Sequence, residues 1–303
     1  MIGIKRIGIH ETRSDKITGV VIHAILTLIG FAMLYPILFV VAASFSDPRA
    51  INMGQVFIWP VGFHLEGYRS IFTNQWITIG YRNSLIYTLA GTLLHLVVTF
   101  PCGYALTKKY IPGYKVITLY MIVTMFFNGG LIPTFLVVRD MGLIDKPYTL
   151  IVLGCVNVFN CILCRIYIET SIPKELHEAA HVEGCSDIGV MVRICLPLSA
   201  PILAVLALFT GVGKWNDWFN ALIYITTREL NPLQIFLREI LVLGSQYDID
   251  RDFTELQTAM ERVRLAQVMR YALIIVASVP VLAFYPFVQK HFVKGVFIGS
   301  LKG

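Results

Sequence analysis

Between Ser171 and Pro197 the chain reads His177-Glu178-x-x-His181-x-x-Gly184-x-x-Asp187. This spacing sets two imidazoles one helical turn apart on one face, with Glu178 as a base and Asp187 as a third ligand, the pattern of a zinc hydrolase. A second polar group stands in an apolar run, Gly213-Lys214-Trp215-Asn216-Asp217-Trp218-Phe219-Asn220. At helical spacing Asn216, Asp217 and Asn220 share a face and Trp215 and Trp218 another, so amides face hydroxyls and indoles offer flat apolar platforms, the chemistry of a sugar path. Ionisable groups there are costly, which favours a water-lined cavity or a mutual pair of Lys214 with Asp217. Asn157 and Asn160, at i and i+3 of another apolar run, are candidates for the same path or for a bond to a neighbouring helix. Lone His23 and His95 read as hydrogen-bonded packing residues. No G-x-x-x-x-G-K-[ST] loop, G-x-S-x-G elbow or paired carboxylates within an apolar run occur. The chain therefore cannot cradle nucleotide phosphates by that route, and proton-coupled transport loses its relay.

The elements that position these residues follow from composition. Of 303 residues, 56% are hydrophobic and 15% charged, against about 25% charged in soluble domains. This is a membrane chain, and apolar run length counts its spans. The runs are 17–44, 83–107, 115–138, 147–168, 198–225 and 268–288, with Asn83 as a helix cap opening the second. They leave a tail at 1–16, an extracytoplasmic loop at 45–81 whose tryptophans suit the membrane interface, a core at 82–288 and a tail at 289–303. Asn128-Gly129-Gly130 and Pro133 predict a break in the third run, buried in protein because lipid cannot satisfy freed backbone groups. The six cysteines imply no disulfide framework; Cys161-x-x-Cys164 lies in an apolar run and reads as packed thiols.

Six spans place both termini on one side, and nine of the eleven lysines fall there with the 171–197 loop. The positive-inside rule makes that side cytoplasmic. Within the loop, Pro173 suits a first helical turn with Ser171 as cap, and Gly184 supplies a left-handed end, predicting a helix over 173–183. Ser186 caps a second helix that Pro197 stops. Leu176, Ala179 and Ala180 form a narrow apolar stripe on the first helix.

Glu178-Ala179-Ala180, Gly184 and Ile194-x-Leu196-Pro197 resemble the E-A-A-x-x-x-G-(x9)-I-x-L-P signature of permease subunits of binding-protein-dependent ABC importers. Glu183 and Cys185 stand where that family usually has Asp and Ala. Trp215-Asn216-Asp217, Pro232-Leu233-Gln234 and Phe284-Tyr285-Pro286-Phe287 with Lys290-x-Phe292-Val293-Lys294-Gly295-Val296 are similar to MalG-type carbohydrate permeases. The run from Gly129 to Thr134 is similar to their LplC-like branch. The resemblance implies an all-α polytopic protein of six transmembrane helices, with a cytoplasmic coupling helix between the fourth and fifth. It implies half of a sugar pore in the bacterial cytoplasmic membrane, coupled through Glu178, Ala179, Ala180 and Gly184 to an ABC ATPase dimer. A homologous second permease, an extracytoplasmic solute-binding (lipo)protein and membrane lipid complete the partners, with no nucleic acid. The chain needs no cofactor of its own; ATP and Mg belong to the ATPase.

Two other classes compete. A secondary transporter or channel would work alone on an ion gradient. A zinc protease would use the His177/His181 pattern, but it needs a folded cleft and a supporting Met turn, and a loop of about 30 residues between spans holds neither.

Overall fold

A computed structural model describes residues 13–242, 266–284 and 286. Every regular element among them is helical. The described residues divide into two compact units, one of residues 13–70 with 266–275 and the other of residues 71–242 with 276–284 and 286.

In the first unit, α1 (Arg13–Ser44) contains the expected span Ile17–Ser44. Its exposed apolar side chains, from Val20 to Ile37, suit lipid. His23 does not bond within a bundle: its Nδ1 lies 2.7 Å from Gly19 O of its own helix. The segment 45–81 contains α2 (Pro48–Asn52), α3 (Glu66–Thr73) and the start of α4 (Gln75–Ala105). Local caps explain this. Asp47 accepts the Arg49 N–H with Pro48 at the first helical position, and Asn74 accepts the Trp76 and Ile77 N–H groups. Asn83 is therefore a mid-helix residue, not a cap.

The second unit is built along α4, against which α8 and α12 pack. The third apolar run is broken as expected, into α5 (Tyr114–Phe126) and α6 (Leu131–Asp140), bent by 117°. Gly130 takes φ 86°, which a Cβ would strain, and the Asn128 and Thr134 side chains satisfy its N–H and C=O. The break is exposed on this chain rather than buried. The fourth run is not one helix: α7 (Thr149–Val152) stops, Gly154 turns at φ 70°, and α8 (Val158–Ser171) starts afresh at Asn157.

After α8 come α9 (Lys174–Val182) and α10 (Asp187–Val190), then a π turn over Met191–Cys195 and α11 (Leu196–Leu198). The fifth run breaks at Asn216-Asp217 into α12 (Ala200–Trp215) and α13 (Trp218–Tyr224). A 3-10 turn at Arg228–Leu230 precedes α14 (Leu233–Val242), and α15 (Ala266–Phe284) runs on through Pro280.

Among the described residues three helices are long and apolar enough to cross a membrane, Ile17–Ser44, Gln75–Ala105 and Ala266–Phe284. Two bent pairs, α5 with α6 and Asp187–Leu198 with α12, raise the number to five if each is one span. The tail readings at 1–12 and 289–303, the end of the sixth run past 286 and the segment 243–265 lie outside the described residues.

Candidate functional site: the 171–198 loop and the broken spans

The loop helix α9 begins one residue later than expected. Pro173 is its N-cap, with φ −59° and ψ 139°, and no side chain caps it, so Ser171 does not. Gly184 ends it at φ 80°, as read from the sequence. Ser186 Oγ accepts the Gly189 N–H at 3.2 Å and opens α10, also as read. Pro197 does not end that helix; the turn before it widens to π geometry and helix resumes to Leu198. A proline lacks the N–H an α turn would use, and a wide turn accommodates the loss.

Orientation of α9 divides the expected apolar stripe. Ala180 is 7% exposed and packs with Phe100, Tyr104, Ile172 and Val190 in a core shared by the ends of α4, α8 and α12. Its side chain faces inward, away from the exposed side of α9. The outward face carries Glu178, Ala179 and Gly184. It also carries Val182, 88% exposed, and beyond it Ile188, 71% exposed. Sequence reading missed these two because a single Val or Ile between polar residues has no periodic partner; only the helix rotation marks them as unpartnered.

The zinc pattern does not assemble. His177 stacks on Tyr104 with ring centroids 6.3 Å apart and sends Nε2 toward Cys195 Sγ at 3.7 Å. His181 turns to Cys185 O, 3.1 Å, and to Asp187, 3.5 Å. Among the described residues no three His, Cys, Asp or Glu side chains gather as a metal site. Burial, with Lys108 and His181 nearby, pushes the His177 imidazole down, so it is neutral near pH 7. Asp187 instead receives Lys108 Nζ at 2.8 Å and the Tyr110 hydroxyl at 2.7 Å. Hydrogen bonds from those two groups hold its carboxyl below the usual carboxylate range.

The candidate path residues are separated by the breaks. Lys214 does not pair with Asp217. Its Nζ donates to Leu150 O at 2.6 Å, Ile151 O at 3.4 Å and Leu153 O, the carbonyls left free where α7 ends. Gly91 makes room for it: a Cβ there would come within 3.1 Å of the lysine Cε. Asp217 caps α13, its carboxylate accepting the Asn220 N–H at 3.3 Å and its amide Nδ2 at 2.9 Å. Asn216 is exposed and Asn220 half-buried. Asn157 caps α8 by accepting the Asn160 N–H. Asn160 is buried and donates Nδ2 to His95 Nε2 at 3.0 Å, while His95 Nδ1–H donates to Cys155 O at 2.9 Å. Cys161 and Cys164 are fully buried thiols, as read. Trp215 is no platform; it is 3% exposed and its Nε1–H donates to Ala277 O. Trp218 keeps an outward face, with the Arg238 guanidinium 5.3 Å from its ring.

An all-helical membrane chain with interrupted spans and a short exposed helix on one loop has the build of a transport permease rather than a hydrolase. Protein LplC of Bacillus subtilis (strain 168) is 38% identical over 294 residues, covering 97% of this chain and 98% of that protein. The polygalacturonan/rhamnogalacturonan transport system permease protein YtcP of the same organism is 33% identical over 289 residues, 95% and 99% of the two chains. A chain in the crystal structure of a bacterial ABC transporter involved in import of the acidic polysaccharide alginate matches with TM-score 0.83 and 32% identity, over 93% of this chain and 98% of that one. No family model matches the chain. The chain belongs to the permease subunits of sugar and oligosaccharide ABC importers. It is a membrane subunit and not itself an enzyme.

Proposed function

We propose that the chain forms half of an oligosaccharide pore and that α9 is the helix by which a separate ATPase drives it. The observation that carries this is the outward face of α9, where Glu178, Ala179, Val182 and Gly184 stand free of the chain's own core while Ala180 anchors the helix from behind. In this reading the loop and both termini are cytoplasmic, the pore has six spans, and the broken fourth run is one of them. The exposed break at 127–132 supports a second, homologous permease as neighbour, because apolar side chains beside irregular backbone suit a protein partner better than lipid. An extracytoplasmic binding protein delivers the sugar; a related chain, 16% identical, occurs in a structure with an alginate pentasaccharide-bound periplasmic protein. The relatives described for polygalacturonan and alginate handle carboxylated sugars, and we extend that class to this substrate. ATP and Mg act on the ATPase, and this chain is assigned no cofactor. Asn216, Asp217 and Asn220 are the proposed path residues; Asn157 and Asn160, committed to a cap and to His95, hold the breaks in place.

Gly184→Asp and Val182→Asp test the coupling assignment. Aspartate at φ 80° costs about 1 kcal/mol of backbone strain, and both variants place charge on the docking face without entering the core. The complete importer should assemble in the membrane yet lose uptake, and the ATPase should dissociate on detergent purification. Wild-type uptake by both variants would show that α9 is not the coupling element.

A further inference from the structure

We propose that Asp187 is a positioning residue that ties the docking segment to α4, so that movement of the segment is carried along α4 to the 228–233 loop at its far end. The inference rests on the reading of α9 as the docking helix.

Three groups from α4 and the turn after it converge on this carboxylate. Lys108 Nζ lies 2.8 Å from Oδ1, Tyr110 OH donates to Oδ2 at 2.7 Å, and Tyr104 OH stands 3.5 Å from Oδ1. Lys108 is itself held over the Tyr104 ring, 4.7 Å from its centroid, and has an exposure of only 13%. Asp187 is the first residue of α10, immediately after the Ser186 cap, so the link grips the hinge between α9 and the π turn. A partly sheltered lysine bonded to carboxylate and ring is stiffer than a solvated surface pair. Tyr104 also stacks on His177 of α9, so both sides of the Gly184 turn bear on one end of α4.

The other end of α4 is gripped as firmly. Asn83 Nδ2 donates to Glu229 O at 2.7 Å and Asn231 O at 3.1 Å, Tyr87 OH donates to Leu230 O at 2.9 Å, and Ser84 Oγ accepts the Leu233 N–H at 2.9 Å. Between Asn83 and Tyr104 the helix is unbroken, roughly 31 Å at about 1.5 Å per residue. Pro101 falls inside it without ending it. The neighbouring runs are interrupted at 153–157 and 216–217, whereas α4 is continuous and tied by side chains at each end. A displacement of the loop therefore meets a rigid rod here and hinges elsewhere, which makes α4 the element able to carry it.

The test uses the complete importer in proteoliposomes, with ATP hydrolysis measured with and without sugar-loaded binding protein. Asp187→Asn and Lys108→Gln should keep the ATPase bound and its basal hydrolysis unchanged. Stimulation by binding protein and uptake should fall roughly five- to tenfold, the scale of coupling between two sites. The double exchange Lys108→Asp with Asp187→Lys should recover a good part of the stimulation, which a residue acting only on the ATPase or only on folding would not show. Asn83→Ala, at the far end, should give the same split between basal and stimulated rates. Wild-type stimulation in Asp187→Asn overturns the proposal, as does loss of stimulation that the exchange fails to restore. Dissociation of the ATPase from Asp187→Asn would place this residue in the docking face and also overturn it. If Gly184→Asp and Val182→Asp retain both ATPase and uptake, the coupling assignment itself has failed. If they do not, and Asp187→Asn behaves as wild type, only the present inference has.

Discussion

Asp145 holds the turn before α7 in a conformation that most side chains avoid. At φ 57° it is in the left-handed region, and its N–H donates to Tyr224 O while its carboxylate accepts the N–H groups of Thr226 and Thr227 and the Thr227 hydroxyl at 2.6 Å. The hydroxyl and backbone bonds from Thr227 come first among the causes that lower its pKa to about 2. A carboxyl depressed on folding stabilises the fold above its unfolded value, near 4, and that contribution disappears as pH falls toward 2. Asn tolerates positive φ as well as Asp does, so Asp145→Asn isolates the charge. Its melting temperature in detergent should lie below wild type by a similar margin from pH 8 to 5, with the gap closing below pH 4. A gap independent of pH would mean that turn shape, not charge, is what matters. Nothing in the sequence distinguished this Asp from Asp140 five residues earlier, because its partners lie some 80 residues away.

At the scale of elements, the fourth and fifth runs explain each other. A helix interrupted within an apolar run leaves carbonyls that apolar surroundings cannot satisfy. Here Lys214 of α12 covers those of Leu150, Ile151 and Leu153, and His95 of α4 takes that of Cys155. Lys214→Met would leave the α7 end without donors, at a cost of about 1.5–3 kcal/mol for a lost charged hydrogen bond. Thermal unfolding of the purified variant should show the loss as a clear drop in melting temperature. Gly91→Val should act in the same direction by pressing on the lysine stem. Full stability in both would remove Lys214 from this role and return it to the transport path. The third break was legible in sequence because Gly, Gly and Pro announce it. The fourth was not, since Gly154 alone within an apolar run is ordinary and its compensation comes from another helix.

The whole molecule separates residues that sequence spacing had grouped. A continuous fifth span would align Asn216, Asp217 and Asn220 on one face; the break at 216–217 leaves Asn216 exposed and ties Asn220 to the Asp217 cap. Cysteines placed singly in a background free of the six native thiols should report this. Asn216→Cys and Asn220→Cys should react with small aqueous thiol reagents, at rates that change with nucleotide or sugar, whereas Asn160→Cys should stay inert in its contact with His95. Inertness at all three would assign the fifth-span cluster to packing.

The sequence by itself determined the class: low charge and long apolar runs require a membrane, and the Glu178-Ala179-Ala180 to Pro197 signature sits in the polar loop between two of those runs. It also determined the Gly184 end of α9, the Ser186 cap and the 128–133 break, because those depend on backbone chemistry within a few residues. Only the tertiary structure decided which alanine of the pair faces in, which partner Lys214 takes and what Asn83 holds. Helix rotation is set by the surfaces packed against it, and a buried donor takes the acceptor that a distant segment brings near. Neither is encoded within a window of neighbouring residues. For the same reason the histidines of the 177–181 pattern, spaced for a metal, are instead committed to Tyr104, Cys195, Cys185 and Asp187.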